Sequence, residues 1–159
     1  MTTDNNLNDE ILGEDFLVSE ANENLNKYLT FISANLTYGV QIEHVIEILT
    51  NPVITTLPMV PHYVTGIINL RGQILPIIDI REIMNKEICS NASAQCVIIL
   101  EINSISIGIL VDTVLQVVNL NKETITPPSK NLAFVNGMTN LSNDRVMFCL
   151  DCEALLENK

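Results

Sequence analysis

The chain has 159 residues, 47% hydrophobic and 17% charged, which supplies a core for one domain or for two small lobes sharing one. Its formal net charge of −11, from 8 basic against 19 acidic residues, argues against nucleic acid, whose binding needs clustered cations, and against insertion at an anionic membrane surface. Aromatics are only 4% and Trp is absent, so packing falls to Ile, Leu and Val, and the β-branched members of that set favour strands.

The first 26 residues carry Asp4, Asp9, Glu10, Glu14, Asp15, Glu20 and Glu23 and no Lys or Arg. Residues 1–27 are therefore expected to be an acidic N-terminal tail, solvated and disordered or forming a short helix over "DFLVSEANENL" when it meets a partner. Met-Thr-Thr-Asp starts no basic region followed by an apolar stretch, and no run of roughly 18 apolar residues follows. A cytoplasmic protein is expected.

From Tyr28 the pattern changes. "YLTFIS" alternates with period 2, "ANL" turns it, and "TYGVQI" runs back, with Gly39 at a bulge or a close approach. "EHVIEIL" fits a helical turn or a strand equally well. "NPVITTLPMVPHYV" contains Pro52, Pro58 and Pro61 and must be extended or looping. "VTGIINL" and "QILPIIDI" read as strands on either side of an Asn69–Gly72 corner, and Pro76 is expected to mark an edge or a bulge. "REIMNKEICSNASA" loses periodicity and reads as a connection between lobes. "QCVIILEI", the turn "NS" and "ISIGILVDTVLQVVNL" then repeat the logic of the first hairpin. A long loop, the strand "RVMFCLD" and a short helix over "DCEALLEN", capped by Asp151, complete the chain. About ten short strands in two similar halves point to small barrels or a sandwich.

Reaction chemistry is hard to find. His44 and His62 sit in no H-E-x-x-H, and no nucleophile elbow or phosphate loop occurs. Asp79 and Asp112 stand alone on strands and are expected to cap a turn or pair with Arg71 or Arg81. The one suggestive spacing is Cys149-Leu150-Asp151-Cys152, a C-x-x-C. Functional versions need a thioredoxin-like βαβ unit or a second cysteine pair, and Cys89 and Cys96 are six residues apart rather than two to four. Structural thiols are the expectation. A thiol-redox or zinc protein using Cys149 and Cys152 is the rival from another class. No metal or cofactor is expected, and a binding module is favoured over an enzyme.

Several motifs in combination resemble the CheW-like coupling proteins of bacterial chemotaxis. They are Tyr38-Gly39-Val40 leading into "HVIEIL", the Pro58…Pro61 stretch, "VTGIINLRGQILPIIDIR", "IGILVDTVLQVV" and "GMTNLSNDRVMFCLDCEALL". The resemblance runs from about Tyr28 to Leu156. It implies an all-β fold of two packed five-stranded SH3-like β-barrel lobes with a short C-terminal helix. One CheW-like domain would cover 28–156, with a first lobe at about 28–86, a second at about 94–148 and the helix at about 151–157.

The resemblance further implies a noncatalytic adaptor in a chemotaxis two-component system. It would couple the cytoplasmic tip of methyl-accepting chemoreceptors to the regulatory domain of a CheA-type histidine kinase, in membrane-associated arrays. Association with other CheW-like domains in rings stays open, as does service in another sensory or motility array. The receptor-binding residues implied are Val45, Glu47, Ile48, Gly66, Arg71 and Gly108, with the two glycines allowing close approach or marking bulges. Arg71 would pair with Glu47 beside an apolar groove, or else cap its turn and pair with Asp79. Kinase binding is placed at Cys96, Val97 and Ile98. The sequence departs from the family pattern in "GMTNL", which lacks a second glycine after Gly137, and in the loop Pro127–Asn131.

Overall fold

The computed structural model describes residues 25–84, 96–128, 134–142 and 144–157. The acidic segment before Leu25, most of the expected connection with Cys89, and part of the Pro127–Asn131 loop lie outside the described residues. Ten strands run in chain order: β1 (Leu25–Ser33), β2 (Leu36–Gln41), β3 (Val45–Thr50), β4 (Val64–Leu70), β5 (Gln73–Asp79), β6 (Cys96–Ile102), β7 (Ile105–Val111), β8 (Thr113–Asn121), β9 (Val135–Asn140) and β10 (Val146–Leu150). Two short helices, α1 (Ile80–Ile83) and α2 (Cys152–Glu157), follow β5 and β10. The tail expected through residue 27 ends earlier, because Leu25–Lys27 already pair with β8. The ambiguous "EHVIEIL" resolves into one 3-10 turn, Ile42–His44, and strand β3.

The strands form two five-stranded sheets, ordered β8-β1-β2-β10-β9 and β3-β6-β7-β5-β4. Exchanging each strand for the one five places along the chain turns the first order into the second. The chain is thus two repeats, β1–β5 with α1 and β6–β10 with α2, and each sheet takes two strands from one repeat and three from the other. This corrects the expected division into a first lobe at about 28–86 and a second at about 94–148. Hairpins keep neighbours in sequence together, but each sheet is completed by strands exchanged between the halves.

The repeat extends to single residues. In the parallel ladders Gly39 sits opposite Cys149 and Gly108 opposite Ile77. A strap residue bridges the outermost strand of each sheet, Thr55 with Ile67 and Thr126 with Met138. Asp79 and Asp151 cap the helices after β5 and β10, accepting from the amides of Arg81 at 3.0 Å and Ala154 at 3.2 Å. Three hairpins close through two residues with positive φ, at Ala34-Asn35, Arg71-Gly72 and Asn103-Ser104, the mirror-image turns whose twist matches the flanking strands.

Side-chain alternation gives each sheet two buried faces. Ile77, Val97, Ile99 and Leu110 fill a small core within the second sheet, and Tyr28, Met147 and Cys149 fill one within the first. The opposite faces meet in the largest cluster, where Phe31, Tyr38 and Val40 pack with Ile98, Leu100, Ile109, Ile80 and Leu155. Pro76 corrects another expectation, since β5 is an interior strand flanked by β4 and β7. Ile67 exchanges its backbone bonds with Thr55 at 2.9 and 2.8 Å, so the opposite Ile67–Pro76 pair is a non-hydrogen-bonded one. The β7 ladder begins only at Ile77, and the missing N–H therefore removes no sheet bond.

Candidate partner-binding surface

Strand β3 is an edge of its sheet, and its residues alternate between half-buried Val45, Glu47 and Leu49 and exposed Ile46, Ile48 and Thr50. A register shift between Val45 and Glu47 turns Glu47 toward the β4–β5 hairpin. There Arg71 Nη1 donates to Glu47 Oε1 at 2.9 Å. Arg71 occupies the left-handed region at φ 54°, beside Gly72 at φ 85°, and the Asn69 side chain accepts from the Gly72 amide at 2.9 Å. A non-glycine residue in that region is disfavoured by about 1 kcal/mol, so the turn holds the guanidinium outward against its own preference. The Arg71 side chain is 71% exposed, and an ion pair so open to water contributes about 0–1 kcal/mol. Its worth lies in geometry: it ties edge strand β3 to a hairpin on the far side of the sheet.

The alternative pairing of Arg71 with Asp79 does not occur. Asp79 is held by Arg81, whose Nε and Nη2 donate to its two oxygens at 3.1 and 3.0 Å. The Arg81 Nη1 also donates to Asp112 at 3.3 Å.

Of the residues expected to touch a receptor, the structure joins Glu47 to Arg71, with Val45 half-buried against the core and Ile48 exposed on the same strand. Gly66 and Gly108 are placed otherwise. Gly108 is buried in the middle of β7, where a Cβ would meet Ile77 Cδ1 at 2.5 Å and Val97 Cγ1 at 2.8 Å. Gly66 is buried under the strap, and a Cβ there would overlap the Thr55 carbonyl. Both glycines admit close approach of this chain's own atoms. The residues expected to bind the kinase, Cys96, Val97 and Ile98, lie on interior strand β6. Val97 and Ile98 are fully buried on opposite faces of interior strand β6, and only half-buried Cys96 reaches the surface.

Sequence reasoning missed the strap between β3 and β4. Val53 is 87% exposed and Met59 fully so, the latter at φ 61° behind Pro58, and Leu57 and Ile74 are exposed nearby in sequence or on β5. A signal was present. The 23 residues from Ile48 to Leu70 contain no Asp, Glu, Lys or Arg, and Glu47 and Arg71, 24 positions apart, flank them and pair. Depletion of charge is typical of the buried centre of a protein interface. The second missed feature is β8, the equivalent edge of the other sheet, where Leu115 and Val117 are exposed as Ile46 and Ile48 are on β3.

The C-x-x-C pair lies in the interior. Cys149 and Cys152 are buried and free, and burial pushes their thiols up to about 11 and about 12, the latter helped by Asp151 and Glu153. Without a metal both are protonated near neutral pH, which leaves little thiolate for redox exchange at this pair. Among the described residues no group of three or more His, Cys, Asp and Glu is placed to hold a metal ion.

The family model for the CheW-like domain matches residues 27–159. The chain belongs to the CheW-like domain family. The chemotaxis protein CheW of Klebsiella aerogenes is 33% identical over 138 residues, 84% of this chain and 82% of that protein. A probable chemotaxis protein CheW of Rhizobium etli is 30% identical over 146 residues, covering 88% and 93%. The crystal structure of the scaffolding protein TtCheW from Thermoanaerobacter tengcongensis superposes with a TM-score of 0.73 at 31% identity, covering 79% of this chain and 88% of that one. The CheW-like fold therefore accounts for both sheets, and among the described residues no helix is long and apolar enough to cross a membrane.

Proposed function

We propose that this CheW-like chain is a noncatalytic adaptor that couples the cytoplasmic hairpin tip of a chemoreceptor to the regulatory domain of a CheA-type histidine kinase. It works in the cytoplasm, at membrane-associated receptor arrays. The receptor tip docks on the surface formed by Val45, Glu47, Ile48 and Arg71. The observation carrying this reading is the Arg71–Glu47 ion pair at 2.9 Å, which fixes an outward guanidinium to an edge strand whose Ile46 and Ile48 are exposed. A helical hairpin offers an apolar stripe with polar flanks, and such a stripe suits an apolar strand edge bordered by one oriented charged pair. The charge-free strap adds apolar area beside it.

The test is Arg71→Ala. Because the pair contributes only about 0–1 kcal/mol to the fold, the melting temperature should stay within a few degrees of wild type. Binding of a receptor-tip fragment should fall roughly tenfold or more, the loss typical of an oriented interface arginine. A large loss of stability with binding intact would reduce Arg71 to a turn residue.

A further inference from the structure

A cleft on the first sheet lies where β1 begins, lined by Asn26, Lys27, Asn119, Lys122, Ile42 and Glu43. It gathers two of the chain's eight cationic side chains against one carboxylate, in a molecule of net charge −11. Residues 1–24 enter the described fold at Leu25, which pairs with Asn121, so the preceding segment joins the chain at the rim of this cleft. That segment carries seven carboxylates, no Lys or Arg, and the apolar run Phe16-Leu17-Val18. We propose that the acidic N-terminal segment docks in cis on this cleft, its carboxylates against Lys27 and Lys122 and its apolar residues toward Ile42.

Three features favour this occupant over a foreign one. The charges are complementary. The tether is immediate, and a short tether gives an effective concentration on the order of millimolar, so weak contacts suffice. Twenty-four residues also span far more than the width of the cleft. The cleft's Ile42 and Glu43 lead directly through the Ile42–His44 turn into β3. Docking here is therefore expected to be salt-sensitive, and it does not depend on what β3 binds.

The experiment compares amide chemical shifts of three full-length chains: wild type, Lys27→Glu with Lys122→Glu, and a chain with Glu14, Asp15, Glu20 and Glu23 changed to the corresponding amides. At low salt, neutralising the tail should shift the amides of Asn26, Gln41–Glu43 and Asn119–Lys122, and reversing the lysines should shift tail amides in return. Both differences should vanish at about 0.5 M salt, where screening acts over roughly 4 Å. Tail amides that ignore the lysine reversal overturn the proposal. So do cleft shifts that grow with protein concentration, which would place the tail on a second copy of the chain.

Discussion

Replacing Arg81 with alanine is expected to destabilise the fold by about 3–5 kcal/mol, the cost of leaving a buried carboxylate without its partner. The guanidinium is 6% exposed and Asp79 8%, and three hydrogen bonds at 3.0 to 3.3 Å join Arg81 to Asp79 and Asp112. Position explains the size of the effect. Asp112 is the single residue between β7 of one sheet and β8 of the other. Its amide donates to Ile32 at 3.0 Å, and its second oxygen accepts from Ala34 at 3.0 Å. The network therefore ties α1, the crossover and the β1–β2 turn together at the junction of the two sheets. Urea denaturation should show the loss, and the melting temperature should drop on the order of 10 °C. Asp112→Asn should cost less, because that side chain is partly open to water. A loss below about 1 kcal/mol for Arg81→Ala would mean that the guanidinium is hydrated and the crossover is held by packing alone.

The second large effect belongs to Gly66. In Gly66→Ala the new methyl group would overlap the Thr55 carbonyl and lie 2.8 Å from Ile54 Cγ2. Thr55 cannot step back freely, since it exchanges two backbone hydrogen bonds with Ile67 at 2.9 and 2.8 Å. Overpacking against fixed backbone costs about 1–3 kcal/mol, and larger side chains such as Val should reach the upper end. The strap would lift from β4 and carry Val53 and Met59 with it, so stability and the shape of the adjoining surface should change together. A Gly66→Ala chain of wild-type stability that no longer bound the receptor tip would return Gly66 to the contact surface.

Much of the fold was legible because its strands announce themselves locally. Period-2 alternation marked β1, apolar runs marked β2 and β10, and short polar corners marked the hairpins. The turn at Arg71-Gly72 and the cap at Asp151 followed from residue chemistry alone. What could not be read was which strand lies beside which. β1 pairs with β8 more than eighty residues away, as the Thr30–Gln116 side-chain bond across 86 positions illustrates, and no local pattern encodes such a partner. The exchange of strands between repeats was hidden for this reason, and so was the interior position of β5 with Pro76. The same gap explains the misplaced contacts. Gly66, Gly108, Val97 and Ile98 lie in recognisable motifs, but burial depends on the neighbouring strands and straps that cover them. Glu47 and Arg71 were legible as a pair through the family resemblance, and the charge-free stretch between them was a signal waiting in the composition.

The β3 edge and the Arg71 turn are proposed to form one docking surface. This is tested most directly by titrating isotope-labelled protein with a fragment of a receptor's cytoplasmic hairpin tip and following the backbone amides. Saturable shifts are expected at Val45–Ile48 and Asn69–Gly72, extending into the strap and lost in Arg71→Ala. Shifts confined to the β8 edge around Leu115 and Val117, or the absence of any shift with a cognate tip, would contradict the proposal.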